Sequence, residues 1–151
     1  LCGPLVRAHA RRLEGVDLSA QMLQRAERRG VYDQLHKAEL GAFLAARPAA
    51  WDVVLSADTL CYFGDLGAVL AAAHGALRRG GRLFFTVEAV GDEDAGPPFI
   101  LQPNGRYAHT RNHVVAALVA AGFEAALPSA QVLRTEGGEP VAGWLVGACK
   151  P

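Results

Sequence analysis

The sequence predicts an α/β fold: a three-layer sandwich whose mostly parallel sheet is covered by helices on both faces and closed by an antiparallel hairpin. Three observations predict it. Helical and strand-like segments alternate along most of the chain, the pattern of successive βα units. Val53-Val54-Leu55 and Leu83–Val87 are short, continuous apolar runs, as expected of parallel strands buried on both faces. Near the end, Glu136-Gly137-Gly138-Glu139-Pro140 reads as a turn between two strands. Right-handed crossovers then place helices on both sides of the sheet.

The elements follow in order. Residues 4–13 carry Leu5, Val6, His9, Ala10 and Leu13 at helical spacing, with Pro4 suited to a first turn. Residues 13–17 form a short strand. Ser19 caps a helix that buries Met22, Leu23 and Ala26 and stops at Gly30. A weak strand covers about 34–38, and a short helix covers 40–46, closed by Arg47-Pro48. The strand 51–56 runs from Trp51 into Ser56-Ala57-Asp58. Asp65 caps a long helix with Leu66, Val69, Leu70, Ala73 and Leu77 on one stripe; Arg78 and Arg79 suit its C-terminal end and Gly80-Gly81 terminates it. The strand 83–87 ends at Glu88. Residues 91–106 read as an irregular surface loop. Thr110 caps a helix with Val114, Val115, Leu118 and Val119 that ends at Gly122. Strands over 123–135 and 141–149 complete the chain.

Composition narrows the function classes. The chain has 151 residues, a formal net charge of zero and 51% hydrophobic residues, which suits one globular domain and excludes disorder as its main state. Without a basic excess there is no electrostatic case for a nucleic-acid partner. Arg7, Arg11, Arg12, Arg25, Arg28 and Arg29 read as solvated helix faces rather than a phosphate-binding patch. Cys2, Cys61 and Cys149 are widely spaced and form no C-x-x-C pair, so no zinc site or disulfide framework is indicated. Reduced thiols point to a reducing, cytoplasmic setting. No signal peptide and no membrane span are visible. The chain begins at Leu1 and enters a helix directly, so the strand that should feed that helix is expected to lie outside the sequence.

Three predicted strand ends converge on one sheet edge. Asp17, at the end of a strand and before a helix, is placed to accept bonds from both hydroxyls of a ribose; a helix N-terminus also satisfies such a charge structurally. Ala38-Glu39-Leu40 has residues suited to flank a flat base. Ser56-Ala57-Asp58, with Leu60 and Tyr62 beyond, occupies the position where ligands lie in open α/β sheets.

These motifs resemble the class I S-adenosylmethionine-dependent methyltransferases. G-V-D-L-S-A-Q-M-L resembles that family's second-strand acidic motif and W-D-V-V-L-S-A-D-T-L-C-Y-F its fourth-strand motif. L-R-R-G-G-R-L-F-F-T-V-E resembles the helix, turn and strand that follow, and the closing hairpin resembles the family's antiparallel last strand. More narrowly, G-R-Y-A-H-T with V-L-R-T-E-G-G-E-P-V-A-G-W-L resembles the catalytic half of bacterial methyltransferases that carry tetratricopeptide repeats upstream. The resemblance implies a Rossmann-like methyltransferase sandwich over residues 1–151, with the first strand and glycine-rich loop preceding Leu1. It implies S-adenosylmethionine as cofactor, S-adenosylhomocysteine as product, and a small-molecule or protein acceptor. Asp17 would bind the ribose, with Leu18 and Met22 against the adenine. Glu39 and Leu40 would close the adenine pocket. Ser56, Ala57 and Asp58 would line the methionine arm and methyl group, and Tyr62 and Phe63 would cover the sulfonium.

On the acceptor side, Tyr107, His109 and Asp58 are the candidate catalytic residues, His109 as general base because imidazole titrates near neutrality. Tyr107 and His109 also suit a purely structural role beside the helix starting at Thr110. His109 and His113 lie four apart, but no third metal ligand is signalled. His9, His74 and His36 carry no clear functional signal. Two other classes stay open: a non-catalytic domain of this fold that binds a partner, and a nicotinamide-dependent Rossmann enzyme, against which the hairpin and the 56–63 motif argue.

Overall fold

The computed structural model of the chain describes residues 2–90, 96–124 and 128–151. The first helical segment is much shorter than predicted. Helix α1 spans Gly3–Val6 and a 3₁₀ turn follows at Arg7–His9. Its apolar spacing buries little, since Leu5 is 80% exposed. Arg7 donates to the carbonyls of Ala10, Arg11 and Val31, binding the chain after the turn in an extended path.

Strand β1 (Glu14–Asp17) pairs in parallel with β2 (Gln34–Lys37). Between them α2 (Ala20–Glu27) packs on both strands. Ser19 caps it, accepting from the Met22 amide at 3.3 Å, and Gly30 leaves it with a left-handed φ of 63°, as predicted. Met22, Leu23 and Ala26 are half-buried there rather than enclosed. Helix α3 (Leu40–Ala45) follows, and β3 (Trp51–Ser56) begins the second sheet where the sequence places it.

Helix α4 spans Gly67–Ala76. Asp65 sits one position ahead of the formal cap and accepts from the Gly67 amide at 2.8 Å. The helix ends earlier than predicted, and Leu77–Ala89 form one long strand, β4. Arg78 and Arg79 therefore belong to the strand, and Arg78 pairs with Asp52 on the neighbouring strand at 2.7 Å. The predicted loop 91–106 is also revised. Residues 91–95 lie outside the described residues, but β5 (Phe99–Leu101) and β6 (Tyr107–His109) form a hairpin. Asn104 closes its turn by accepting from the Arg106 amide at 3.0 Å.

Thr110 caps α5 (Arg111–Ala120), accepting from the His113 amide at 3.1 Å. The last two strands are β7 (Ser129–Glu136) and β8 (Glu139–Cys149). β7 starts later than predicted: Phe123 is a buried core residue ahead of the strand, and Glu124 makes only an isolated bridge to Cys149. Gly137 and Gly138 join the hairpin with φ of 60° and 91°, the paired positive angles of a two-residue hairpin turn.

The strands form two sheets, β1-β2 and a six-stranded sheet ordered β5-β6-β4-β8-β7 with β3 on β4. β3 and β6 run parallel to β4, whereas β8 runs antiparallel to β4 and both flanking hairpins are antiparallel. The larger sheet is therefore mixed rather than mostly parallel. One core joins everything. Leu70, Ala73, Val114 and Leu118 of α4 and α5 pack on Leu83, Phe85, Val87 and Val146, and Val16 and Leu40 from the smaller sheet's side reach the same cluster.

Helices α3, α4 and α5 pack side by side, and α4 lies on β4. The expectation of strands buried on both faces holds for only one. Val53, Leu55 and Phe84, on the face away from that core, are 52%, 43% and 36% exposed. No described helix is long and apolar enough to cross a membrane.

Candidate functional site

The parallel pairings bring strand carboxyl ends to common edges. β1 delivers Asp17 and β2 leads into Glu39. β3 delivers Ser56, Ala57 and Asp58, and β4 delivers Thr86 and Glu88.

Asp17 shares its charge with its own helix. Its Oδ1 accepts from the Ser19 amide at 2.7 Å, and its other carboxylate oxygen has no protein partner among the described residues. Leu18 beside it is 65% exposed, and Met22 is half-buried on the first turn of α2. Glu39 is fully occupied. Its two oxygens accept from the Gly41 and Ala42 amides at 2.7 and 2.6 Å, making it the N-cap of α3. The Ala42 and then the Gly41 hydrogen bond hold its carboxyl below the usual range. Leu40 packs against the core rather than standing open.

Ser56 is 8% exposed, and its buried Oγ has no hydrogen-bond partner among the described residues. Such an orphan hydroxyl is rare in an interior unless something else satisfies it. Asp58 adopts a left-handed φ of 57°, which aspartate tolerates better than most residues. Its amide donates to Thr86 Oγ1 at 3.0 Å. Ala57, Asp58, Thr86, Leu133 and Arg134 line a cavity of about 170 Å³.

The groups that engage Asp58 lie in the two motifs of the narrower resemblance, but nothing in the sequence pairs them with Asp58. Arg106, from the β5–β6 turn, donates to Asp58 Oδ1 at 2.6 Å, and Arg134, from β7, does so at 3.2 Å. Arg134 also donates to Glu88 at 2.6 Å and to Glu136 at 2.7 Å. Glu88 is only 2% exposed, so a paired cation is what makes its burial tolerable. Cys61 lies 4.0 Å from Asp58, and burial pushes its thiol up to about 11, too high for a nucleophile near neutral pH.

Tyr62, on a 3₁₀ turn at Leu60–Tyr62, is 58% exposed with the Arg106 guanidinium 5.4 Å from its ring centre. Phe63 is not a lid; it packs against the core. Tyr107 meets Phe99 edge to face at 5.7 Å, and both rings close on Gly64, where a side chain would collide with them.

His109 is fully buried, and this revises its expected role as general base. Its Nε2 faces the carbonyls of Phe63 and Gly64 at 2.9 and 3.0 Å, so that nitrogen carries the proton and donates. Burial, opposed by those two bonds, lowers its basicity further. His113 stacks on it at 5.7 Å. His109 thus ties β6 to the turn after the site, and it does not line the cavity beside Asp58. Tyr107 does not line that cavity either. No cluster of metal-ligating residues occurs among the described residues.

A family model described as a methyltransferase domain matches residues 2–85. The chain belongs to that methyltransferase family. Solved structures agree in fold. An S-adenosylmethionine-dependent methyltransferase from Methanosarcina mazei superposes with a TM-score of 0.74 at 17% identity, covering 99% of this chain and 89% of its own. The 1,6-didemethyltoxoflavin-N1-methyltransferase of Burkholderia thailandensis, solved with S-adenosylhomocysteine, gives 0.67 at 22% identity, covering 92% of this chain and 61% of its own. The [4+2]-cyclase SpnF gives 0.75 at 16% identity, covering 99% and 72%. No curated protein matches the sequence significantly. In this methyltransferase domain the best-defined polar edge therefore lies where the strands β1, β3 and β4 end.

Proposed function

We propose that this domain transfers the methyl group of S-adenosylmethionine to a small-molecule or protein acceptor by in-line displacement. The observation that carries the reading is unspent polar capacity at two strand ends. Asp17 has a free carboxylate oxygen and Ser56 a buried, partnerless hydroxyl, and both are the kinds of acceptor and donor a nucleoside with an amino-acid arm requires. When bound, the cofactor supplies a methyl group already activated by its sulfonium. The residues of the chain do the rest. Asp17 accepts from the ribose hydroxyls, while Leu18 and Met22 offer apolar contact to the base. Glu39 contributes by fixing the start of α3, because both its oxygens are engaged there. Ser56 and Ala57 face the amino-acid arm, and Tyr62 offers an exposed aromatic face to positive charge. Asp58 acts as a positioning residue, pairing with Arg106 and with Arg134, which lines the cavity beside it. With His109 enclosed, catalysis rests on orientation and desolvation rather than on an early proton abstraction.

Calorimetric titration with S-adenosylhomocysteine tests this; measurable binding is expected, and no heat with no thermal shift sinks it. A parallel titration with NAD is expected to give none. The second reading, a cofactor-binding domain without transfer, is favoured by the burial of His109 and by the likeness to a cyclase. Bound S-adenosylhomocysteine with no methyl transfer across a broad acceptor screen would support it.

A further inference from the structure

Strand β3 leaves its ladder with β4 at the pair Ser56 and Phe85. The backbone then turns, with Asp58 at a left-handed φ of 57°. A residue other than glycine keeps that conformation only where its surroundings impose it, and such residues gather at ligand sites. Two sets of contacts impose it here. Arg106 and Arg134 hold the Asp58 carboxylate, at 2.6 and 3.2 Å. Thr86, the next residue of β4 beyond the end of the ladder, holds the backbone: its Oγ1 accepts from the Asp58 amide at 3.0 Å. The hydroxyl takes the place of the main-chain acceptor that a continuing ladder would offer that amide. Thr59 braces the same turn, donating from Oγ1 to the Ala57 carbonyl at 3.3 Å.

The two sets do different work. The ion pairs join side chains and bring in the β5–β6 turn and β7, so they bear on assembly of the sheet. The Thr86 bond acts on the main chain of the turn itself, two residues from the buried, partnerless hydroxyl of Ser56. Thr86 is half-buried and lines the cavity together with Ala57 and Asp58. We propose that Thr86 is a positioning residue for the methyl donor. By fixing the Asp58 amide it sets the path of residues 56–58, and so aims Ser56 and Ala57 at the donor's amino-acid arm. This rests on the methyl-transfer reading above and adds a β4 side chain on which the grip on the donor depends.

The test is calorimetric titration of the full chain with S-adenosylhomocysteine and with 5′-methylthioadenosine, which keeps the nucleoside but lacks the amino-acid arm. Thr86→Val keeps the shape of the side chain and removes its hydroxyl. It is expected to weaken S-adenosylhomocysteine about ten-fold and to leave 5′-methylthioadenosine unchanged. Thr86→Ser restores the hydroxyl without the methyl group, and affinity is expected to return to within about three-fold of the unmodified chain. A role in packing alone would not show that recovery. Thr86→Ala gives a second hydroxyl-free variant, and its contrast with Thr86→Ser carries the same reading where Thr86→Val folds poorly. The proposal is overturned if the hydroxyl-free variants bind S-adenosylhomocysteine as tightly as the unmodified chain, if they weaken both ligands equally, or if Thr86→Ser fails to recover. Absence of S-adenosylhomocysteine binding in the unmodified chain removes the methyl-transfer reading itself, a result seen before any variant is made.

Discussion

The β1-β2 end and the Asp58 end of this domain both present carboxylates at strand termini, and they satisfy them by opposite means. Asp17 and Glu39 bond to amides two and three residues ahead, at the start of the helix each precedes. Asp58 and Glu88 are paired with arginines 46 to 76 positions away in sequence, brought in by the β5–β6 turn and by β7. Local satisfaction costs little ordering and leaves the group near solvent. Distant satisfaction requires the sheet to be assembled first, and it permits near-complete burial, as at Glu88. Substitutions at the Asp58 end should therefore cost mainly stability, and those at the Asp17 end mainly ligand affinity.

The largest expected effect is at His109. Its ring fills a fully enclosed position among Phe99 and His113 and ties two carbonyls. His109→Ala should destabilise the fold by about 3 kcal/mol, measured by urea unfolding. His109→Gln, whose amide nitrogen reaches a similar place, should recover a good part of that and retain methyl transfer. If His109→Gln folds well but loses transfer, the residue is a base after all and the structural assignment is wrong. Next comes Arg134→Met. It leaves Glu88 with only the longer 3.5 Å contact to Arg106, and a loss of about 2 kcal/mol is expected in the same assay. An unchanged midpoint would mean that the distant pairing contributes nothing, and the contrast between the two ends would collapse.

The same contrast explains what the sequence made legible. Ser19 and Thr110 as caps, Gly30 and Gly122 as helix stops, and β3 from Trp51 to Ser56 all follow from short-range rules, and all are found where those rules place them. The helical spacing of residues 4–13 yields only the short α1 because Leu5, 80% exposed, has nothing to pack on. The β5–β6 hairpin was hidden because its strands are only three residues each and pair across a polar turn. Arg106 and Arg134 had no local signature, since an arginine's partner 48 or 76 residues off is set by topology alone. The chemistry of His109 suits a base, yet its burial gives it a structural place.

A smaller effect is expected at the local end. Asp17→Asn keeps an oxygen to accept from the Ser19 amide, so the turn into α2 should survive. The lost charge should weaken S-adenosylhomocysteine by about ten-fold, roughly 1.4 kcal/mol, with little change in unfolding midpoint. A drop in stability with unchanged affinity would reverse the assignment and make Asp17 a structural cap.

The smallest effect, and the sharpest check on local satisfaction, is the pH dependence of Glu39. Two backbone hydrogen bonds lower its folded pKa below the unfolded value of about 4.5, so the ionised form is favoured by folding. Above that value the carboxylate is charged in both states and its stabilisation is fully present. As pH falls below about 4.5, the unfolded chain takes up the proton first, and the stabilisation declines until the folded carboxyl titrates as well. The residue is exposed, so solvent screening keeps the magnitude small. Glu39→Gln should cost about 0.5 kcal/mol at neutral pH, since the amide oxygen still caps one N–H but lacks the charge at the helix start. The gap between the two proteins should then narrow as the pH is lowered through 4 toward 3. Parallel unfolding curves across that range would show that the capping is carried by geometry alone, and that charge at this end of the domain is held for a ligand rather than for the fold.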